Sequence, residues 1–282
     1  MLVAKDSRHV PSARADCFIL LAVPSEGILD RKPPAADLRL SYGTDANQFA
    51  DVRIPAGKAP FPVVFFIHGG YWRSRYDLVY AGHACEALKK SGIATWNVEY
   101  RRVGNPGGGW PGTFEDIRNA YRALIESQES TRLGPLDIEY LCVAGHSAGG
   151  QLALCLAAHE KTVTRVVSLA GVLDLRRGWE LGLSKNAVAE FLGGSPREVP
   201  EHYHEASPWE QHIPQAIQKV IHGTIDDSVP YEISKSYVDR KKKLGEQVEM
   251  MSFENTGHFE IVDPEAAVWP KVAKTFHSLT AH

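Results

Sequence analysis

Residues 138–156 read IEYLCVAGHSAGGQLALCL and hold a GxSxG motif at 145–149. The apolar run at 140–144 is typical of a β-strand, and the Leu and Ala residues after the motif favour a helix. In such a strand-to-helix turn the positions that flank the serine must be small, and its hydroxyl projects clear of the sheet edge. The stretch therefore predicts strand, sharp turn and helix, with Ser147 as the candidate nucleophile. A glycine-rich turn with an ordinary solvated serine is the alternative.

The composition is that of a globular protein without a marked charge bias. Of the 282 residues, 44% are hydrophobic and 23% are charged, and the net charge is −3. This length accommodates one large domain or two small ones. The basic run RKKK at 240–243 lies in a polar, helix-like stretch and indicates a solvated face. We therefore expect no nucleic-acid partner.

The apolar segments are too short to span a membrane. The run CFILLAV at 17–23 resembles the core of a signal peptide, but Asp16 precedes it and no small-residue cleavage site follows, so we interpret it as a first strand. The cysteines are Cys17, Cys85, Cys142 and Cys155. They show no CxxC motif and no paired spacing, which indicates reduced thiols. These features predict a cytoplasmic protein with no membrane partner.

Strand-like and helix-like segments alternate from residue 63 to the C-terminus. The apolar run VVFFI at 63–67 is unbroken, as expected for a strand whose two faces are both covered by helices. A period-two pattern at 38–55 precedes it and indicates an antiparallel hairpin at a sheet edge. We predict an α/β fold with a mostly parallel central sheet flanked by helices.

Two parts of the chain depart from this alternation. Residues 1–36 are polar and interrupted by proline, and we expect an N-terminal extension packed on the body, with residues 37–282 as the main domain. Residues from about 172 to 211 break the strand–helix rhythm, and a long insertion at the active-site side is typical of a small cap. Within it, EHYHE at 201–205 lacks the HExxH spacing of a zinc site, so we predict no metal.

A second glycine-rich turn lies upstream of the nucleophile. HGGYW at 68–72 follows the buried run, and its glycines leave backbone N–H groups free to point at an anion. An oxyanion-binding loop is therefore predicted, with a plain strand-to-helix turn as the alternative. The loop RRVGNPGGGWPG at 101–112 lacks the GxxxxGK[ST] and GxGxxG motifs, so we expect no nucleotide and no other cofactor. That loop can form one wall of a pocket, with Trp110 as the contact surface. The alternative is an ordinary surface loop.

A nucleophilic serine needs a base, and the base needs an acid that orients it. In an α/β sheet of this kind the chain order is Ser, then Asp or Glu, then His, with each group after its own strand. Asp226 follows the strand-like IQKVIHG at 217–223, and His258 follows VEMMSFE at 248–254. We therefore predict a triad of Ser147, Asp226 and His258.

Other histidines compete for the role of base. His146 adjoins Ser147, but an immediate neighbour on a sharp turn points its side chain away from the serine. We interpret His68 as a brace for the oxyanion loop. His222 precedes the loop of Asp226 and is expected to brace it in the same way.

Several motifs together resemble the α/β-hydrolase superfamily of esterases and lipases, from about residue 42 onward. They are HGGYW at 68–72, GHSAGG at 145–150, HGTIDDSVP at 222–230 and NTGHFE at 255–260. The resemblance implies Ser147 as nucleophile and His258 as base. It places the acid of HGxxDxxVP at Asp226 rather than Asp227. It also implies an oxyanion hole of backbone N–H groups, which belong to Gly70, Tyr71 and Ala148.

The pentapeptide HGGYW is similar to that of kynurenine formamidases and of the related BD-FAE group of bacterial esterases. Our leading hypothesis is a serine hydrolase of carboxylic esters with short acyl chains, which forms an acyl-enzyme intermediate. One alternative is an arylformamidase that hydrolyses N-formylkynurenine, and another is a non-catalytic binding protein with the hydrolase fold. The expected partner is a small-molecule ester or amide. Whether the protein forms a homodimer is left open by the sequence.

Large aromatic residues recur in the loops and in the insertion around the predicted site. Aromatic walls bury large areas at little entropic cost, which favours a tight acyl pocket. We therefore predict a substrate pocket that prefers short acyl chains. Its predicted lining residues are Tyr71, Trp72, Trp110, Trp179, Tyr203 and Trp209.

Overall fold

The computed structural model of the protein describes residues 25–127 and 136–281. Cys17 and the strand expected at 17–23 lie outside these residues. Within them, the chain forms an eight-stranded sheet with helices on both faces. The prediction of an α/β fold with a mostly parallel central sheet is confirmed.

The strands of this sheet are short, and most of them are buried. They are β1 (Leu38–Ser41), β2 (Phe49–Arg53), β3 (Phe61–Ile67), β4 (Ala94–Val98), β5 (Leu136–His146), β6 (Arg165–Leu169), β7 (Ile217–Gly223) and β8 (Val248–Phe253). Their spatial order is β1-β2-β4-β3-β5-β6-β7-β8. The pairs β1–β2 and β2–β4 are antiparallel and the remaining pairs are parallel. The predicted hairpin at the sheet edge corresponds to β1 and β2.

Helices connect the parallel strands and cover the sheet. A 3-10 helix at Ser25–Asp30 opens the described part of the chain. The α-helices are α1 (Ala81–Lys90), α2 (Gly112–Glu126), α3 (Ala148–His159), α4 (Leu175–Glu180), α5 (Leu183–Leu192), α6 (Pro200–Ala206), α7 (Tyr231–Lys243) and α8 (Trp269–Thr280). No helix among the described residues has the length and apolar character that a membrane crossing requires.

The packing of strand β3 explains why its sequence is apolar at every position. Val64 and Phe66 pack in a cluster with residues of α1 and α8, whereas Phe65 and Ile67 pack in a second cluster with residues of α2 and α3. Successive side chains of a strand point to opposite faces of the sheet. Because helices cover both faces, all four side chains are fully buried and none can be polar without a partner.

The parallel strands gather the predicted motifs at one edge of the sheet. The loops after β3, β5, β7 and β8 carry the HGGYW motif, Ser147, Asp226 and His258 respectively. In parallel sheets, the loops at the carboxyl ends of the strands form the crevice where ligands bind. The fold therefore brings these four segments to the same side of the molecule.

The insertion predicted at about 172–211 contains α4, α5 and α6 and packs on the body. Phe191 of α5 stacks on Trp72, with ring centroids 4.5 Å apart. The N–H of Trp110 donates to the carbonyl of Phe191 at 2.8 Å. The insertion thus lies against the loops that follow β3 and β4, and the domain limits inferred from the sequence stay predictions.

Candidate active site

Ser147 stands on a strained turn between β5, which ends at His146, and α3, which begins at Ala148. Its φ is 56° and its ψ is −122°, a combination that residues other than glycine rarely adopt and that clusters at functional sites. The turn is crowded, because a Cβ on Gly145 would lie 2.0 Å from the carbonyl oxygen of Gly149. Glycine is required at 145 because the backbone of the helix passes where a side chain would stand.

Asp226 and His258 meet across neighbouring loops. The Nδ1 of His258 lies 2.6 Å from Oδ2 of Asp226 and donates to it. The other nitrogen, Nε2, is then the basic one in the neutral imidazole. The neighbouring Asp227 is exposed, and its carboxylate accepts from the Ser228 hydroxyl at 3.2 Å. The structure therefore brings Asp226, and not Asp227, to the ring of His258.

The Asp226 carboxylate is fully buried and surrounded by donors. Its Oδ1 accepts the backbone N–H groups of Ser228 at 2.9 Å and Val229 at 2.8 Å, and its Oδ2 also faces Nε2 of His222 at 3.0 Å. Burial opposes the negative charge, but hydrogen bonds from His222 and His258 hold the pKa of Asp226 far below its usual range. The Asp226 carboxylate is therefore ionised at neutral and mildly acidic pH.

Ser147 and His258 line one cavity of about 100 Å³. Gly70 also lines this cavity. Apolar and aromatic surface comes from Leu29, Tyr71, Tyr76, Tyr80 and Phe259. The candidate nucleophile and base are thus brought together at one small cavity, with the acid on the far side of the base.

The HGGYW loop turns sharply beside the nucleophile. A Cβ on Gly69 would lie 2.7 Å from Cβ of Ser147, so the loop backbone touches the serine. The φ angles of Gly70 and Tyr71 are 105° and 51°, and both residues line the cavity. Ala148 is the first residue of α3, where N–H groups have no partner within the helix. The three predicted oxyanion donors therefore belong to backbone that adjoins Ser147 or lines its cavity.

A family model described as BD-FAE matches residues 50–240, more than half of the chain. The chain belongs to the BD-FAE family. The match contains Ser147 and Asp226, begins after the first strand of the sheet and ends before His258. The resemblance to this family inferred from the sequence motifs is confirmed.

Relatives of this BD-FAE protein include two enzymes named as esterases. Esterase LipC of Mycobacterium tuberculosis is 28% identical over 252 residues, which cover 80% of this chain and 60% of LipC. The probable isoprenylcysteine alpha-carbonyl methylesterase ICME of Oryza sativa subsp. japonica is 23% identical over 245 residues, which cover 78% of this chain and 57% of ICME. The chain therefore spans less than two thirds of the length of either relative.

Solved structures share the fold of this BD-FAE protein. A truncated carbohydrate esterase from gut microbiota has a TM-score of 0.76 and 18% identity, and the match covers 89% of this chain and 99% of that one. Esterase B from Lactobacillus rhamnosis (HN001) has a TM-score of 0.74 and 18% identity, and covers 91% of this chain and 90% of its own. The predicted α/β-hydrolase fold is thereby confirmed.

In this BD-FAE protein a buried chain of hydrogen bonds joins the HGGYW loop to the candidate base, His258. The hydroxyl of Tyr80 accepts the N–H of Gly69 at 2.7 Å and donates to Nδ1 of His146 at 2.8 Å. The Nε2 of His146 donates to the carbonyl of His258 at 3.0 Å. Burial lowers the pKa of His146 well below its usual range, so the ring is neutral. Both of its nitrogens are engaged, so His146 contacts the backbone of the candidate base and has no free nitrogen with which to act as a base itself.

His68 also braces the HGGYW loop, since its Nδ1 lies 2.7 Å from the carbonyl oxygen of Gly69. Its Nε2 lies 3.0 Å from Oε1 of Glu99, and its ring stacks on Tyr100 with centroids 4.4 Å apart. Burial opposes the charge of Glu99, but His68 and Arg102 hold the pKa of this carboxyl below its usual range. The position of His68 agrees with the supporting role that the sequence suggests.

His222 braces the loop of the candidate acid, Asp226. Its Nδ1 lies 2.7 Å from Oγ of Ser234, and its Nε2 lies 2.9 Å from the carbonyl of Val229 as well as near Asp226. The hydroxyl of Tyr71 donates to the carbonyl of Ser228 and ties the HGGYW loop to the loop of Asp226. The loops that carry HGGYW, Asp226 and His258 are thus linked by polar contacts.

Most of the aromatic residues predicted to line a substrate pocket lie elsewhere. Tyr71 lines the cavity, but the described residues around it do not include Trp72, Trp110, Trp179, Tyr203 or Trp209. Trp72 is fully buried, stacks on Phe191 and donates its Nε1–H to Gln151 at 2.9 Å. Tyr203 is also fully buried. For these five the prediction is wrong for the cavity of Ser147. Trp72 and Tyr203 are buried in the core, and Trp110, Trp179 and Trp209 are half-buried and pack against it.

The cavity is lined instead by residues outside the predicted set, among them Leu29, Tyr76 and Phe259. Phe259 directly follows the predicted base, and Tyr76 follows the HGGYW motif closely. Nearness in sequence to the motifs is a signal that would have found both. Leu29 lies far upstream of every motif, and no local pattern indicates its position.

No group of three or more His, Cys, Asp or Glu side chains is arranged to hold a metal ion in residues 25–127 and 136–281. In the EHYHE segment, Nδ1 of His202 binds the carbonyl of Leu192 at 2.7 Å. The expectation of no metal and no cofactor stays a prediction. Free, buried thiols belong to Cys85, Cys142 and Cys155.

Proposed function

We propose that this BD-FAE protein is a serine hydrolase of carboxylic esters with short acyl chains. One observation carries the proposal: Ser147, on a turn with φ of 56°, lines the same cavity as His258, whose Nδ1 lies 2.6 Å from Asp226. A nucleophile, a base and an acid that orients the base are the groups that acyl transfer by serine requires. The names of the relatives, an esterase and a probable methylesterase, support the same reaction class.

Acylation begins when the Ser147 hydroxyl attacks the ester carbonyl carbon and Nε2 of His258 takes the hydroxyl proton. The carbonyl oxygen becomes an oxyanion, which the N–H groups of Gly70, Tyr71 and Ala148 stabilise. The ionised Asp226 stabilises the imidazolium that forms. Collapse of the tetrahedral intermediate breaks the bond to the alcohol oxygen, and His258 returns its proton to the departing alcohol.

Deacylation repeats these steps with water. His258 takes a proton from the water as its oxygen attacks the acyl carbon, and the same backbone N–H groups hold the second oxyanion. The bond to Ser147 then breaks, and His258 gives the proton back to the serine oxygen. The products are one carboxylic acid and one alcohol, and the enzyme returns to its starting state.

The size of the cavity supports a short substrate group. Its volume is about 100 Å³, which is smaller than the engineered apolar cavity of about 150 Å³ that binds benzene in another protein. A group of a few carbon atoms therefore fills this volume, while a long acyl chain exceeds it. A small-molecule ester or amide as partner, and a cytoplasmic location, belong to this proposal.

The decisive experiment measures kcat/KM of the full chain for 4-nitrophenyl acetate, butyrate and decanoate beside N-formylkynurenine. We expect acetate and butyrate to exceed decanoate by at least tenfold and N-formylkynurenine to be a poor substrate. Labelling by an organophosphonate, followed by peptide mass spectrometry, should modify Ser147. The Ser147→Ala protein is the control for both measurements.

The outcomes separate the hypotheses. A formamide value above the acetate value would replace the ester proposal by the arylformamidase alternative. Labelling of Ser147 without turnover of any ester or formamide in the panel would favour the hydrolase-fold binding protein. Labelling at a different serine would overturn the assignment of the nucleophile.

A further inference from the structure

Leu29 is an exposed apolar side chain placed at the reaction centre. It lies in the segment 25–36, which precedes the part of the chain matched by the family model. It lines the cavity that also holds Ser147 and His258, although 38% of its surface is exposed to solvent. An apolar side chain that is both exposed and part of a reactive cavity is placed to contact a ligand.

The segment around Leu29 is fixed to the body on the side of the oxyanion loop. Ile28 is fully buried in the same hydrophobic cluster as Phe66 and Tyr80. The carbonyl of Arg31 accepts from Nε2 of His83, in α1, at 3.2 Å. The residues directly before and shortly after Leu29 are therefore anchored to the strand and the helix that flank the oxyanion loop.

The same segment is also fixed to the side of the base. The guanidinium of Arg31 forms ion pairs with Asp263 and Glu265, which follow His258 in the chain. Leu29 thus lies between two held residues: Ile28, which is buried in the core, and Arg31, which contacts both α1 and the segment after His258. Because the chain is held on both sides of Leu29, the wall that Leu29 contributes cannot retreat easily to admit a longer substrate group.

We propose that Leu29 sets the length limit of the substrate group that enters the cavity of Ser147. This inference rests on the proposed function, since it concerns the esters that the same site accepts. It specifies the substrate class as esters in which the group bound in this cavity is short and apolar. It also assigns the segment before the family match a role in selectivity.

The test is a pair of substitutions that change the wall in opposite directions. Leu29→Ala replaces an isobutyl group by a methyl and lengthens the cavity, whereas Leu29→Phe fills it. Each methylene of the substrate that gains burial is worth about fourfold in kcat/KM. We expect Leu29→Ala to raise the hexanoate-to-acetate ratio of kcat/KM by roughly tenfold, and Leu29→Phe to lower it.

Leu244→Ala is the matched control. Leu244 is also an exposed leucine, at 51% of its surface, but it follows α7 and does not belong to the described lining of the cavity. Its removal should leave the ratio unchanged. The ratio is to be measured in a series of 4-nitrophenyl esters of different acyl length and in a series of acetates of different alkyl alcohols, since either group can occupy the cavity.

The proposal is overturned if neither series responds to the two Leu29 variants, or if all esters lose activity together with no change of ratio. Failure of the proposed function is detected separately, because it leaves the unsubstituted protein without turnover of any ester. In that case the rates at which ethyl and hexyl phosphonates label Ser147 still measure which chain length the cavity accepts. Leu29→Ala should then speed labelling by the hexyl probe selectively, and equal effects on both probes would contradict the proposal.

Discussion

The Nε2 of His146 lies 3.0 Å from the carbonyl oxygen of His258, so the residue before the candidate nucleophile holds the backbone of the candidate base. The same ring accepts from Tyr80, whose hydroxyl oxygen accepts the N–H of Gly69. The turn of Ser147, the HGGYW loop and the loop of His258 are thereby connected by one buried chain of hydrogen bonds. A buried donor or acceptor left without its partner costs about 1–3 kcal/mol. Breaking one hydrogen bond of this chain should therefore destabilise all three loops.

Tyr80→Phe tests this chain of hydrogen bonds, because it removes the hydroxyl in the middle of the chain and keeps the ring. The N–H of Gly69 and Nδ1 of His146 then lose their partner, and we expect the free energy of unfolding to fall by about 1–3 kcal/mol. The value of kcat should fall with it, since the oxyanion loop is no longer fixed to the base loop. Urea denaturation followed by circular dichroism, together with steady-state kinetics, measures both effects.

Tyr121→Phe is the control for that substitution. The Tyr121 hydroxyl contacts Oγ1 of Thr162 at 3.1 Å in a partly buried position away from the cavity. Its loss should cost less stability and leave kcat unchanged. Equal losses of stability and kcat in the Tyr80 and Tyr121 variants would contradict a special role for the buried chain.

The backbone of Ser147 predicts a difference between two inactive variants. Both Ser147→Ala and Ser147→Gly should abolish turnover and organophosphonate labelling. At φ of 56° and ψ of −122°, alanine keeps a strain of about 1–3 kcal/mol that glycine does not feel. After the entropic cost of glycine in the unfolded chain, the glycine variant should be more stable by about 1 kcal/mol. Urea denaturation decides the order, and a more stable alanine variant would argue against the strained turn.

The two adjacent carboxylates predict unequal effects on catalysis. Asp226→Asn keeps the shape of the side chain but removes the charge that orients the ring of His258, and its kcat should fall on the order of 10⁴-fold. Asp227→Asn alters an exposed group that contacts the Ser228 hydroxyl, and its kcat should fall no more than a few fold. Steady-state kinetics on 4-nitrophenyl acetate compares them. Equal losses would show that both carboxylates serve the base.

The positions of Ser147, Asp226 and His258 could be anticipated because they depend on rules that the sequence carries directly. Strand-length apolar runs predict the strands, and parallel strands put their carboxyl ends at one edge of the sheet. A residue that follows such a run is therefore placed near the others whatever the details of packing. The structure places all three candidate residues at that edge, in the expected chain order.

Side-chain direction and long-range packing are what the sequence does not encode locally. Tyr71 and Trp72 are neighbours after the same glycines, yet Tyr71 lines the cavity and Trp72 is buried against Phe191 and Gln151, which are distant in the chain. Leu29 is held at the cavity by long-range contacts of its neighbours: Ile28 packs in the core, and Arg31 pairs with Asp263 and Glu265. Such placements follow from tertiary contacts and not from any periodic pattern.

Burial makes His146 a source of acid sensitivity in stability. Burial lowers the pKa of His146 well below its usual range in the folded protein, whereas a histidine in the unfolded chain has a pKa of about 6.5. Below that pH the unfolded state binds a proton that the folded state does not. The stability contributed by the neutral ring is therefore complete above about pH 6.5 and is lost progressively as the pH falls.

His146→Gln removes this titrating group. We therefore expect the free energy of unfolding of the variant to fall less steeply as the pH falls. One proton taken up only by the unfolded state contributes a slope of about 1.4 kcal/mol per pH unit. Between pH 6.5 and 5 the free energy of unfolding of the unsubstituted protein should therefore fall more steeply than that of the variant, by an amount approaching this slope. Urea denaturation at several pH values measures both slopes, and His277→Gln, at an exposed position of α8, is the matched control. Equal slopes for His146→Gln and the unsubstituted protein would mean that the ring takes up its proton in the folded state, which a ring that accepts from Tyr80 through Nδ1 cannot do without breaking that bond.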